Sequence, residues 1–200
     1  APLDRFVSPT RKFRFNAVTS RQDPLVHDWR RRVSEDYTPP AHSSRILLLL
    51  PCSERKPYRE SQSHRRFARH IQSNGVDQVM VTSPLGLVPR ALEDIWPAAH
   101  YDIPVTGDWD LDELEMIHSM VSQLVERVGY EMIIDHSGMN LQSRFPNLDV
   151  IDTRQGRTAG NPESLEYLES TINKLVSEFE IRAPKGHRHR IECYRSLSRF

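Results

Sequence analysis

The chain has 200 residues, 38% hydrophobic and 27% charged, with 27 Lys and Arg against 27 Asp and Glu. That length suits one domain with short extensions and excludes a multi-domain machine, and no apolar run approaches the roughly 18 residues that span a bilayer. Cys52 and Cys193 are the only cysteines, too few for a disulfide framework or a cysteine-rich zinc site.

The opening Ala-Pro-Leu-Asp-Arg has neither an initiator Met nor an apolar signal core, and reads as a piece of a longer, cytoplasmic protein. The zero net charge is a cancellation. Residues 1–75 carry a net +8, residues 76–181 a net −13 and residues 182–200 a net +5. Such asymmetry is compatible with basic surfaces that meet phosphate.

Residues 1–44 read as an extension holding one short helix from Pro24 to Asp36, with Leu25, Trp29 and Val33 spaced by four. An α/β domain is expected over 45–182. Ile46 to Leu50 is a continuous aliphatic run, the pattern of a strand buried on both faces. A helix is predicted from Ser63 to Ser73, capped by Ser61 or Ser63 and stopped by Asn74-Gly75, with Arg65, Arg66 and Arg69 on its outer face. Val76 to Thr82 reads as a second buried strand, and Ser83 to Arg90, with two prolines and a glycine, as a structured loop. Leu114, Ile117, Val121, Leu124 and Val128 mark a helix from Asp110 to Val128. Strands follow at 130–134 and 148–151, then a helix opening at Asn161-Pro162 with Leu165, Leu168, Ile172, Leu175 and Phe179 inward. The alternation predicts a three-layer, mainly parallel α/β sheet with helices on both faces. Residues 183–200 read as a basic linker.

Ligands in such sheets collect at the carboxyl ends of the strands. Three polar clusters fall there: Cys52 to Tyr58, Ser83 to Arg90, and Asp135-His136. Cys52 is the one soft nucleophile beside a buried strand, although free cysteines usually just pack. Lys56 also reads as a solvated side chain, Tyr58 as a half-buried aromatic, Ser61 as a cap and His64 as a first-turn residue. Asp135-His136 reads as a substrate-binding pair or as a strand-end turn. The Arg65, Arg66 and Arg69 face suits a phosphate backbone or plain solvation. Metal-ligand spacings, a dinucleotide fingerprint and a phosphate-binding P-loop are all missing from the sequence, so no metal or resident cofactor is expected.

The run Pro51-Cys52, Lys56-Pro57-Tyr58, Ser61 and His64 resembles the signature of the archaeosine synthase alpha-subunit family, related to the archaeal tRNA-guanine transglycosylases. Ser83 to Arg90 and Tyr101 to Gly107 also look like that family, over roughly residues 20–182, and 194–200 looks like the entry to an RNA-binding module. The resemblance implies a transferase of archaeosine biosynthesis acting on tRNA that carries 7-cyano-7-deazaguanine. Lysine is the implied co-substrate, adding through its side-chain nitrogen to the nitrile, with a radical SAM subunit as a further partner. It implies Cys52, Lys56, Tyr58, Ser61 and His64 as catalytic residues. Ser83, Arg90, Asp102, Asp135 and His136 are then substrate-binding candidates, and Arg65, Arg66 and Arg69 contact the tRNA backbone. A uracil-DNA-glycosylase-like sheet accepting an extruded base is the implied fold analogy. Two readings of other classes stand beside this one: a non-catalytic tRNA-positioning spacer, and a Cys-dependent small-molecule hydrolase with a histidine paired to Cys52.

Overall fold

The structure is a computed structural model that describes residues 13–14, 22–41, 43, 45–102 and 109–182. Its centre is a five-stranded sheet in the order β4-β3-β2-β6-β7. These strands are β2 (Ile46–Pro51), β3 (Asp77–Thr82), β4 (Gly86–Pro89), β6 (Met132–Asp135) and β7 (Asp149–Asp152). All neighbours are parallel except β4, which runs antiparallel to β3 at the edge. A separate two-stranded parallel ladder pairs β1 (Phe13–Arg14) with β5 (Tyr101–Asp102). The central β2 has Ile46 to Leu50 buried without interruption, as a strand covered on both faces must be.

Helices form the outer layers: α1 (Pro24–Glu35), α2 (Gln62–His70), α3 (Leu111–Val128) and α4 (Pro162–Arg182). In the packing, α1 lies with α3 and α2 with α4. The β2-α2-β3 crossover and the one from β3 by way of β4 and α3 to β6 join parallel strands and run in opposite directions along the sheet, so the right-handed rule puts α2 and α3 on opposite faces. The periodic stripes land inward as read: Ile117, Val121 and Leu124 of α3, and Leu165, Leu168, Ile172 and Leu175 of α4. Gly129 closes α3 in the left-handed region at φ 75°, with its N–H donating to the Val125 carbonyl. Among the described residues no helix is long and apolar enough to cross a membrane.

Three expectations are corrected. The 83–90 segment is not simply a loop: it turns at 83–85 and returns as β4 along β3. An edge position tolerates Pro89, which has no N–H to offer an outer neighbour. Gly86 sits at φ 77°, where a Cβ would lie 2.4 Å from the Met120 sulfur, so only glycine fits between the hairpin and α3. Helix α2 ends at His70, earlier than Asn74-Gly75 suggested, because Ile71 turns into the core. Gly75 instead permits close approach of α4, since a Cβ there would meet both Val176 methyls at 2.8 Å. The boundary at residue 44 does not isolate α1. Val26, Trp29 and Val33 are buried in the common core and Trp29 Nε1 donates to the Leu87 carbonyl at 3.0 Å, whereas Leu25 is only half-buried. The 183–200 linker lies outside the described residues.

At the amino ends of the strands, Asp77 is buried under two tyrosines. The Tyr37 hydroxyl donates to Oδ1 at 2.7 Å and the Tyr130 hydroxyl to Oδ2. Burial pushes its pKa up to about 6, against the two hydrogen bonds that favour the anion. The folded state therefore holds a proton that the unfolded chain releases near pH 4, and stability falls as pH rises from about 4 to 6. With about 1.4 kcal/mol per pKa unit, the cost of ionising Asp77 approaches 3 kcal/mol. Urea unfolding of the wild type and of Asp77→Asn, measured between pH 4 and 7, should show the variant losing this descending component. Parallel pH curves would refute it.

Candidate active site

The site forms where β2 and β3 end. Parallel register sets Pro51 opposite Val81, so Cys52 follows directly beside Thr82. The Cys52 thiol is half-buried and packs against the core. Thr82, Tyr58 and Tyr101 are buried around it. The Thr82 hydroxyl meets the Tyr101 hydroxyl at 2.5 Å, and Tyr101 in turn hydrogen-bonds the Tyr58 hydroxyl. Lys56 lays its ammonium 4.1 Å from the centre of the Tyr101 ring, within cation–π range.

Burial dominates the electrostatics. It pushes the Cys52 thiol up, while the Lys56 charge and a hydrogen bond from Thr82 pull it down without overcoming the shift; Glu113 of α3 adds to the rise. The resting site thus favours a protonated thiol. Burial likewise holds both tyrosine hydroxyls protonated far above their ordinary range.

Ser61 caps α2, its hydroxyl accepting from the His64 N–H at 3.1 Å, which fixes the first turn of that helix behind the site. His64 faces inward. Its Nε2–H donates to the Pro51 carbonyl at 3.0 Å, leaving Nδ1 to accept from Arg90 at 2.9 Å. Both partners dictate one neutral tautomer. Burial, then the Arg90 charge, push the ring's pKa down to about 3. His64 thereby braces the peptide just before Cys52, and its fixed bonds leave neither ring nitrogen for the sulfur that a Cys–His hydrolase needs. Arg90, expected to touch substrate, spends its guanidinium on His64, on Gln78 at 3.2 Å and on the nearly buried Glu93 at 2.9 Å.

Asp135 and His136 close β6, next to β2 in the sheet. The His136 ring is fully buried and both nitrogens are taken, Nε2–H donating to the Ala159 carbonyl and Nδ1 accepting from the Thr153 hydroxyl, which corrects its substrate-binding reading. Asp135 Oδ1 gathers the Ser137 N–H and hydroxyl and the Gly138 N–H, the strand-end turn, while its buried Oδ2 has no partner among the described residues. A chain of rings, Tyr58, His64, Phe67 and His136, each within 5.4 Å of the next, joins the two strand ends through the core. Ser83 follows Thr82 at the β3 end and is half-buried. The Asp102 backbone pairs with Arg14, and the role expected of its side chain lies outside the described residues.

The signature segment and the outer face of α2 line an open cleft of about 1100 Å³. Arg55, Lys56, Arg65, Arg66 and Arg69 line it against two acids, Glu54 and Glu60. Arg66 donates to the Gly160 carbonyl and Arg55 pairs with Glu60. The side chains of Arg65 and Arg69 have no partner among the described residues.

Thr82, Tyr101 and Glu113 escaped the sequence reading as site residues. Thr82 ends a predicted strand, a position that could have flagged it. Tyr101 reaches the site across 43 residues, which spacing does not reveal.

A family model described as "Domain of unknown function (DUF5591)" matches residues 26–172. The chain belongs to this family. It is similar to archaeosine synthase subunit alpha of Methanosarcina acetivorans, with 37% identity over 74% of this chain and 24% of that protein. The subunit alpha of Thermoplasma acidophilum is 33% identical over 92% of this chain and 35% of its own length. The Haloferax volcanii archaeosine synthase is 49% identical over 45% of the chain and 15% of that protein. The DUF5591 chain thus spans about a third or less of these relatives. Its fold matches the crystal structure of AF0587, a protein of unknown function, with a TM-score of 0.56 and 26% identity over 72% of this chain and 49% of that one.

Proposed function

We propose that this domain acts in archaeosine biosynthesis and carries the addition of lysine, through its side-chain nitrogen, to the nitrile of 7-cyano-7-deazaguanine in tRNA. The observation that supports it best is the half-buried Cys52 thiol at the end of the central strand, beside the Thr82, Tyr58 and Tyr101 hydroxyls and the Lys56 ammonium, in a chain similar to archaeosine synthases.

A nitrile is a weak electrophile in water. Attack by the Cys52 sulfur forms an S–C bond as one C–N π bond breaks, and the nitrile nitrogen takes the proton that the thiol gives up, giving a thioimide. Lys56 and Tyr58 are the donors beside the developing nitrogen charge. The lysine amine then displaces the sulfur, its surplus proton returning to Cys52 as the amidine forms. Each proton is accounted for, so the step needs no redox cofactor to balance. His64 and Ser61 position the thiol's peptide, Ser83 flanks the base, and Asp135 Oδ2 is the carboxylate left to hold the incoming ammonium. Asp102 remains a second candidate for that task. Arg65, Arg66 and Arg69 bind the tRNA backbone, and release of the product from the lysine adduct falls to a radical SAM partner. Work on tRNA implies a cytoplasmic setting.

The test is incubation of the full-length protein with tRNA bearing the nitrile base and isotope-labelled lysine, followed by nucleoside mass spectrometry. One labelled lysine per modified base is expected, and a nitrile base recovered unchanged would overturn the proposal.

A further inference from the structure

Three buried hydroxyls, brought from three separate segments, form a row whose Thr82 end lies beside the Cys52 sulfur. We propose that Thr82 and Tyr101 are positioning residues for Cys52, their hydroxyls joining that of Tyr58 in a chain that aims the thiol and carries its proton during addition. The proposal deepens the reading of Cys52 as the nucleophile and rests on it.

The placement comes from the sheet. Thr82 is the last residue of β3 and register sets it beside Cys52, so its hydroxyl faces the sulfur from the neighbouring strand. Tyr101 enters from β5 and Tyr58 from the 3₁₀ turn Tyr58–Glu60. Two hydroxyls share a single hydrogen, so the tyrosine pair leaves one O–H in need of a further acceptor, and Thr82 supplies it. The Thr82 hydroxyl, 2.5 Å from that of Tyr101 and 3.3 Å from the Ser83 carbonyl, also bonds the Cys52 sulfur, so the row that starts at the two tyrosines ends beside the thiol.

A row of hydroxyls moves a proton by each oxygen passing one on while accepting another, with no net change in the row. When the Cys52 sulfur bonds to the nitrile carbon, its proton enters at Thr82 and one leaves at the Tyr58 end, where the nitrile nitrogen takes it. When the amine displaces the sulfur, the proton returns by the same route. The charged groups facing the thiol are Lys56 from its own loop, which favours the thiolate, and Glu113 from α3, which opposes it. Neither is a hydroxyl, so variants in the chain report on the chain alone.

Thiol alkylation by iodoacetamide tests this on the full chain without tRNA, with peptide mass spectrometry separating Cys52 from Cys193. Thr82→Val should move the midpoint of Cys52 alkylation upward by about one pH unit, a roughly tenfold slower reaction at fixed pH. Tyr101→Phe should give a smaller shift in the same direction, and Thr82→Ser should restore the wild-type profile. Superimposable profiles for Thr82→Val and wild type, or a Thr82→Ser profile shifted as far as that of Thr82→Val, would overturn the proposal. Should Thr82→Val fail to fold by circular dichroism, Tyr101→Phe decides, an unshifted profile counting against the chain. A wild-type protein that forms no lysine adduct, with the variants still shifting the alkylation profile, would sink the proposed reaction while leaving the hydroxyl chain intact.

Discussion

Cys52→Ala is expected to lower formation of the lysine–tRNA adduct by at least about a thousand-fold, while leaving tRNA binding unchanged. The size follows from the division of labour. Without the sulfur, lysine must attack the nitrile directly, and the remaining help comes from proton donors whose individual contribution is about a hundred- to ten-thousand-fold. Removing a half-buried Sγ leaves a small cavity at the sheet end, away from the exposed α2 face, so backbone contacts to tRNA should persist. Cys52→Ser keeps the shape and the Thr82 contact but offers a poorer nucleophile, and should rank with Cys52→Ala rather than with wild type.

The pH dependence separates this route from direct attack. Burial holds the thiol protonated at neutral pH, so the thiolate fraction, and with it the wild-type rate, should climb as pH rises through the neutral range. The residual rate of Cys52→Ala would keep only the amine's own titration. Adduct formation undiminished in Cys52→Ala would remove the thiol from any essential role and favour the spacer reading, in which the signature is structural.

Much of this arrangement is written locally. The aliphatic run at Ile46–Leu50 can only be a strand covered on both sides, the 3-4 spacing over α3 and α4 fixes their inward stripes, and Ser61 caps α2 as a serine before a helical turn should. These signals lie within one element. What spacing conceals is tertiary: Tyr101 reaching back to Tyr58, Arg90 reaching His64 across 26 residues, and Trp29 of α1 reaching the Leu87 carbonyl across 58. The β4 strand is hidden for another reason. Gly86 and Pro89 read as breakers, and only its place at a sheet edge, under Met120, makes both acceptable. His64 shows the same limit within the signature: its residue type suggests an acid, and burial beside Arg90 makes it a neutral brace.

The second large effect belongs to the cleft. Arg65→Glu with Arg69→Glu should weaken tRNA binding by about ten- to a hundred-fold at low salt and reduce the slope of log affinity against log salt by about 1.4 to 1.8, since each phosphate contact contributes roughly 0.7 to 0.9. The choice of these two arginines is structural. Arg66 and Arg55 are already engaged with Gly160 and Glu60, whereas Arg65 and Arg69 are exposed on one face of α2 with side chains unpartnered among the described residues. Reversing them turns a lining of five cations and two acids into three cations and four acids, within the same cleft that Lys56 joins to the thiol. Because both side chains are exposed, stability should change by no more than about 0.5 kcal/mol, so a loss of binding reports charge rather than unfolding. The effect should fall on KM for tRNA, with kcat little changed, because in the proposed function the arginines hold backbone away from the nitrile. Matched reversal of Arg31 and Arg144, which pair with Asp28, Glu35 and Glu115 elsewhere on the surface, should leave tRNA affinity and its salt slope near wild type. Filter binding or fluorescence anisotropy across a salt series measures both quantities, and equal slopes for the α2 variant and this control would show that the RNA backbone runs elsewhere.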